Sequence, residues 1–340
     1  MSTMNRLAHI AVIGAGIAGL SCATLLQGAG LRVQLFDKSG GPSGRMSTRR
    51  RDDWQCDHGA QYFTTTDPDF LAEVMRWQRA GVAGLWSPRL CILGCDAAHK
   101  PDPAIERFVG IPRMTAPGEF LSENLALTTL TTIRQIKRQP AGWQLVSVEH
   151  AALEGRFDAV LLAVPAPQAI PLLRVSAPEL ADIASNATMR GCWTIMARFA
   201  VPLKLPFDAA FVNGSPLRWV ARDSSKPGRN GPETWVLQAS ADWSETHLEQ
   251  DAESAAALLL QGFSELGVPK PTAWTAHRWR YADTEPPLSN GCGWHAEAGL
   301  VLCGDWINGG TVEGAWLSGR QLAQQVLHHF YHEQKAHVSD

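Results

Sequence analysis

His9-Ile10-Ala11-Val12-Ile13-Gly14-Ala15-Gly16-Ile17-Ala18-Gly19-Leu20 runs from a β-like apolar stretch through a glycine turn into an apolar helical segment, and its reading decides the fold. Gly14, Gly16 and Gly19 fill the G-x-G-x-x-G pattern between a strand at 10–13 and a helix at 17–26. The first glycine allows the tight turn, the second lets backbone approach a phosphate, and the third lets helix and strand pack closely. The helix N-terminus, reached through Ala15, Ile17 and Ala18, then offers backbone N–H groups to an anion. Glycines also mark ordinary turns, so the pattern needs support from the neighbouring chain. A second β-like run, 31–36, ends at Asp37, eighteen residues beyond Gly19. An acidic side chain there accepts hydrogen bonds from ribose hydroxyls. Strand, turn, helix, strand and acid together form a βαβ unit suited to a dinucleotide.

The remaining composition narrows the class. With 340 residues, 45% of them hydrophobic and 19% charged, the chain is long enough for one large or two intimately joined domains. A formal charge of -3 gives no global basic field for nucleic acid or an anionic membrane. No stretch reaches the roughly eighteen uninterrupted apolar residues of a membrane span, and the N-terminal apolar run continues directly into the βαβ unit rather than ending as a leader. Seven cysteines are scattered without a C-x-x-C pair, so neither zinc nor a redox dithiol is expected, and Cys91 and Cys95 form an incidental C-x-x-x-C. This usage fits a reducing cytoplasm.

After Asp37, residues 39–49 form a loop too rich in glycine for helix or strand. Arg45, beside Gly44, suits a phosphate oxygen; the alternative is a solvated basic loop, since Arg49, Arg50 and Arg51 come next, and the preceding βαβ unit favours phosphate contact. Asp57-His58-Gly59-Ala60-Gln61-Tyr62-Phe63-Thr64 sets small residues beside polar and aromatic ones, as backbone lying against a planar ring requires.

Taken together, these segments resemble the FAD-dependent amine oxidase and p-hydroxybenzoate-hydroxylase-like superfamily, and within it the bacterial renalase-like proteins. The resemblance rests on residues 14–19, Asp37-Lys38-Ser39, Gly44-Arg45-Met46-Ser47 and His58 to Thr64, and later segments extend it over nearly the whole chain. It implies an α/β fold: a Rossmann-type FAD-binding domain with an inserted mixed-sheet α+β substrate domain, p-hydroxybenzoate hydroxylase-like. The expected cofactor domain is discontinuous, 1–75, 113–165 and 285–335, with the substrate domain at 76–112 and 166–284. The resemblance also implies FAD contacts from Gly14 to Ala18, Asp37, Lys38, Gly44 to Met46 and Gly59 to Tyr62. Backbone near Ile133 would meet the adenine end, with Pro165 nearby. Asp305, after Gly304, would bind the ribityl or pyrophosphate region, and the helix opened by Val312, Glu313, Gly314 and Ala315 would face the flavin N1/O2 edge. The physics agrees, because a positive helix end stabilises the negative charge that gathers there on reduction.

Periodicity fills in the rest. Phe70, Val74 and Trp77 mark an amphipathic helix at 69–79, and 118–126 reads as a short helix. Residues 127–136, 142–148 and 157–165 read as strands, the last nearly all apolar and so buried on both faces. In the second block, strands are expected at 192–200, 218–221, 235–240 and 272–278, with a helix at 249–266. The segment 222–230, with three cations, reads as a polar loop that is either solvated surface or a phosphate contact.

The chemistry is then the flavin's, and the open question is the electron donor. A second G-x-G-x-x-G, a redox Cys pair and an Asp-Gly dipeptide are all missing, against disulfide reductases and aromatic hydroxylases. Resemblance to renalase implies hydride removal from C2- or C6-reduced isomers of NAD(P)H, with O2 leaving as hydrogen peroxide. Gln61, Tyr62, His277, Trp279 and Trp306 are expected around the substrate ring, and Arg222 or Arg278 toward its phosphate. The structural alternative is that these tryptophans are core anchors and His277 a structural histidine. Two other readings stay open: a flavin amine oxidase, which in many relatives has a lysine near flavin N5 and for which Lys226 and Lys270 cannot be placed, and a flavin-binding protein without turnover.

Overall fold

The strand His9–Ile13 lies inside a six-stranded sheet ordered Gly293–His295, Leu300–Leu302, Ala159–Leu162, His9–Ile13, Arg32–Phe36, Ala126–Thr128. Neighbours pair in parallel except Gly293–His295, which runs antiparallel to Leu300–Leu302. All five residues of His9–Ile13 and all four of Ala159–Leu162 are buried, which explains their unbroken apolar runs. The computed structural model describes residues 7–51, 53–94 and 101–336; Cys95 and Lys100 lie outside the described residues.

This sheet belongs to the first of two compact units, Met1–Gly44, Gly118–Met189 and Thr284–Asp340. Helix Ile17–Gly28 packs against the long helix Val312–Ala336, where Gly319 lets the backbones close in: a Cβ there would collide with the Ala18 carbonyl. Ser21 Oγ donates to the Trp316 carbonyl at 2.9 Å across the same contact. The unit also carries the antiparallel meander Ile133–Gln139, Gly142–Ser147, Ala151–Ala152. Residues 127–136, expected as one strand, are two: Ala126–Thr128 joins the large sheet and Ile133–Gln139 the meander, with Leu130 at a left-handed φ of 52° between them.

The second unit is Arg45–Pro117 and Arg190–Asp283. Its six-stranded sheet is mixed, ordered Ala273–Thr284, Met189–Phe199, Glu233–Ala239, Leu217–Arg222, Ala209–Val212, Leu90–Leu93. The last pair is parallel and the three pairs from Met189–Phe199 to Ala209–Val212 are antiparallel. Helix Ala252–Ser264, capped by the Asp251 carboxylate, buries Ala255, Ala256, Leu259 and Phe263 against Trp193, Ile195, Phe199 and Trp235.

These units divide the chain elsewhere than the sequence suggested. Residues 166–189 lie in the first unit, because helices Ala166–Leu173 and Pro178–Ser185 bury Leu172, Leu173, Leu180 and Ala184 in the core that holds Val160, Leu162 and Leu302. Residues 45–75 and 113–117 lie in the second, where the hairpin Thr48–Arg50 and Gln55–Asp57 is tied through Asp57 to Lys226 and Arg229. Among the described residues no helix is long and apolar enough to cross a membrane.

Candidate functional site

In the first unit the glycine turn has the form a dinucleotide requires. Gly14 sits at φ +104°, where a Cβ would strike the Ala163 carbonyl, and a Cβ on Gly19 would strike the Gly14 carbonyl. A Cβ on Gly16, by contrast, meets nothing within 4 Å. Gly16 caps helix Ile17–Gly28 without a side-chain hydrogen bond, and the first turn carries no acid. Two glycines are thus fixed by protein packing, and the third has open space where a side chain would go, at a helix N-terminus that no side chain caps, the kind of cradle an anion fills.

Asp37 is buried at the end of Arg32–Phe36 and is locked to this turn. Its Oδ2 accepts from Ala15 N at 2.6 Å and its Oδ1 from Ser39 N at 2.7 Å. Each carboxylate oxygen retains a further lone pair for a hydroxyl. Ser43 N donates to the Ala15 carbonyl at 2.8 Å and brings Gly44, at φ 56°, to where its Cβ would lie 3.2 Å from Gly16 Cα. At the far end of the unit, Gly304 N donates to Ser318 Oγ at 3.0 Å, and Gly314 lies against the Asn308 carbonyl so closely that a Cβ would not fit. Asp305 is buried beside this turn, and Val312, Glu313 and Ala315 are half-buried in the first turn of the last helix. Lys38 points outward, exposed. Ile133 is buried and Pro165 stands just before helix Ala166–Leu173. Trp306 is fully buried in the core, its indole N–H given to the Val164 carbonyl at 3.0 Å, and offers no face to a substrate.

In the second unit, Gly59 admits the Arg45 carbonyl where a Cβ would sit, and Ala60 N donates to that carbonyl at 2.9 Å. Arg45 Nη1 donates to the Ala282 carbonyl at 3.0 Å, and Met46 is buried. Gln61 is held at both ends of its amide: Nε2 donates to the Asp57 and Gly59 carbonyls at 2.9 and 3.1 Å, and Oε1 accepts from Lys226 Nζ at 3.2 Å. Tyr62 comes next, with its ring 5.7 Å from Trp219 and 6.5 Å from Trp86.

Behind Gln61 lies a buried charge quartet that sequence reasoning did not anticipate. Asp57 Oδ2 accepts from Lys226 Nζ at 3.1 Å and from Arg229 Nη2 at 2.6 Å, while Thr48 Oγ1 donates to Oδ1 at 2.6 Å. Lys226 Nζ also lies 2.9 Å from Asp223 Oδ1. All four charged side chains are essentially inaccessible, so the segment 222–230 is not the solvated loop its composition suggests. Burial alone would raise the Asp57 carboxyl, but Lys226 and Arg229 outweigh it and hold Asp57 well below the usual carboxylate range. Burial and the neighbouring Asp57 charge push Asp223 up to about 6. For Lys226, burial opposes the charge, yet Asp223 and Asp57 prevail and raise it. The signal that could have found this is weak: Asp57 and Lys226 are 169 residues apart, and charges in a Pro-Gly loop carry no burial periodicity.

The other expected residues separate into two groups. His277 and Trp279 join His58: the His58 and Trp279 rings stack at 5.2 Å, His277 lies edge-on to both, and Trp279 Nε1 donates to the His58 carbonyl at 2.9 Å. Arg49 Nη2 donates to His277 Nδ1 at 3.1 Å, which requires that nitrogen to be unprotonated. Burial, then Arg49, lowers His277 to about 4; burial, then His277 and Arg49, lowers His58 to about 3. The two arginines expected near a substrate phosphate are already engaged. Arg222 Nε donates to Glu233 Oε2 at 2.9 Å, and Arg278 Nη1 donates to the Leu248 carbonyl at 2.7 Å with Glu249 beside it.

The first unit is therefore a Rossmann-type dinucleotide-binding fold, and comparison with known proteins places it among flavin enzymes. The family described as flavin containing amine oxidoreductase matches residues 114–327, and an NAD(P)-binding Rossmann-like domain matches residues 12–76. The chain belongs to the flavin-containing amine oxidoreductases, and its cofactor is FAD. Hydroxyneurosporene desaturase of Rubrivivax gelatinosus is 34% identical over 148 residues, which cover 41% of this chain and 26% of the desaturase. The chain thus spans about a quarter of that relative's length. Among solved structures, an Exiguobacterium protein provisionally named protoporphyrinogen oxidase superposes with a TM-score of 0.74 at 13% identity, covering 96% of this chain and 99% of the other. Putrescine oxidase bound to putrescine gives 0.67 at 15% identity, covering 95% and 99%. At these identities the likeness is one of fold.

Proposed function

We propose that the protein is an oxidase that takes a hydride from C2- or C6-reduced isomers of NAD(P)H, so that substrate, O2 and a proton give NAD(P)+ and hydrogen peroxide. FAD, when bound, would supply the hydride-accepting and oxygen-reducing chemistry. The observation that carries this reading is that the titratable groups touching Gln61 hold an amide in place and have no free role as bases. Lys226 is kept charged by two carboxylates, and Asp57 is ionised but enclosed by Lys226, Arg229 and Thr48. Such a site orients a ring and moves no proton. A dihydropyridine needs no more, since it regains aromaticity when the hydride leaves, and positioning is most of the task. In this reading Gln61 orients the ring, Tyr62 and Trp279 offer aromatic surface to it, and His277 stays neutral at physiological pH.

Anaerobic stopped-flow mixing of the yellow protein with each isomer tests it. Rapid bleaching of the flavin, with recovery and peroxide on admitting air, supports the assignment; no bleaching with any isomer removes it.

Amine oxidation is the second reading, favoured by one observation: Lys226 is buried in contact with Gln61 rather than on a solvated loop. Bleaching by primary or secondary amines, with the dihydropyridines inert, would select it.

A further inference from the structure

Three cations are buried among the described residues: Arg107, Lys226 and Arg229. Lys226 and Arg229 are neutralised by Asp57 and Asp223. Arg107 is 9% exposed and has no carboxylate within ion-pair distance among the described residues. Its Nη1 donates to the Ile105 carbonyl at 2.8 Å, and its buried Nε has no partner. A guanidinium with a buried, unpartnered N–H and no counter-charge is unfavourable unless an acceptor completes it. Beside the Ile105 carbonyl, the contact given to this cation is the Tyr62 ring, whose centroid lies 5.5 Å from the guanidinium carbon.

The surroundings are aromatic: Trp86 Nε1 donates to Ser225 Oγ at 3.1 Å, while Trp219 Nε1 has no acceptor among the described residues. Trp86 N donates to the Arg107 carbonyl at 2.8 Å, which fixes Trp86 beside Arg107 along the edge of the pair Ala83–Leu85 and Phe108–Gly110. Trp86 and Trp219 flank Tyr62, and among the described residues Trp219 Nε1 is, like Arg107 Nε, a buried donor with no partner. Two orphaned donors, one of them cationic, thus adjoin the ring of Tyr62. Buried donors in native proteins are almost always satisfied, so the missing acceptor is the feature to explain.

We infer that Arg107, with Tyr62, Trp86 and Trp219, forms a subsite for an oxyanion carried on or near a planar ring, and that this subsite, not Arg222 or Arg278, receives the negative group of the substrate. The planar guanidinium fork matches carboxylate and phosphate alike, while the aromatic walls take the ring. The placement as a substrate subsite rests on the oxidase reading; the anion binding itself does not.

The test is equilibrium binding to the FAD-loaded protein, read by calorimetry, with benzoate, phenyl phosphate and neutral benzamide as probes. The expected result is at least tenfold tighter binding of one of the anions than of benzamide. That preference should disappear in Arg107→Met, be partly retained in Arg107→Lys, and weaken several-fold in Trp219→Phe. Preference for benzoate marks a carboxylate-bearing substrate, and preference for phenyl phosphate marks a nucleotide phosphate. Equal binding of all three probes, or an anion preference that survives in a folded Arg107→Met protein, overturns the inference. Anion selectivity that persists while the dihydropyridine isomers fail to bleach the flavin removes the oxidase reading alone.

Discussion

Lys226 Nζ donates to the side-chain oxygen of Gln61 at 3.2 Å while bound to Asp57 and lying against Asp223. One buried ammonium thereby fixes an amide and neutralises part of two carboxylates. Replacing it by Met leaves Arg229 to serve Asp57 and leaves Asp223 buried without a cation. Lys226→Met is expected to lose about 3–5 kcal/mol in urea denaturation. Adding Asp223→Asn should recover a large part of that loss, since removing both charges is far less costly than removing one. Equal stabilities for the single and double variants would contradict the pairing.

Arg222 is held by a buried acceptor, so its removal is a stability change and not a substrate change. Glu233 Oε1 also accepts from Trp235 Nε1 at 2.8 Å, and its Oε2 accepts from Arg222 and Ser224. Arg222→Ala leaves this carboxylate partly unsatisfied at an expected cost of about 1–3 kcal/mol. The substrate KM should be unchanged. A raised KM at unaltered stability would return Arg222 to the substrate site.

How far the chain could be read in advance depended on the range of its interactions. The glycine turn, Asp37 and the apolar strands obey local rules of spacing and periodicity, and residues 9–37 adopt the βαβ unit expected of them. Helix 69–79 was equally legible, since Phe70, Val74 and Trp77 fill one buried face. The charge quartet was not, because nothing local distinguishes Lys226 in a Pro-Gly loop from a solvated lysine until Asp57 arrives from the far end of the chain. The same holds for Arg107: its significance is a missing partner, which no sequence displays. Trp306 erred in the opposite direction, an aromatic residue beside an expected cofactor motif that serves the core.

Two neutral histidines make stability depend on mild acid. His58 and His277 titrate near 3 and 4 in the folded chain, against about 6.5 when unfolded. Between those values the unfolded chain binds protons that the folded chain refuses, so stability is full above about pH 6.5 and falls as pH drops toward 4 and then 3. Asp223 acts with the opposite sign: its folded value near 6 favours the native state at low pH, and that contribution fades as pH rises through 6. His277→Asn should therefore flatten the dependence of Tm on pH between 6.5 and 4. An unchanged slope would mean that His277 does not control it.

Two glycines of the N-terminal turn, Gly16 and Gly19, should separate folding from cofactor binding. A Cβ on Gly19 collides with the Gly14 carbonyl, backbone that cannot swing aside, so Gly19→Ala should lower Tm even in cofactor-free protein. Gly16 has open space where its Cβ would go, at a backbone φ of -74° that any residue adopts. Gly16→Ala should therefore fold with nearly native cofactor-free stability. What it loses is the approach of a phosphate to the backbone and to the helix N-terminus, so the flavin absorbance per mole of purified protein should fall severalfold. The check is Tm of the cofactor-free proteins beside their flavin content after reconstitution. If Gly16→Ala retained FAD as the parent does, the pyrophosphate would have to lie elsewhere than at this turn.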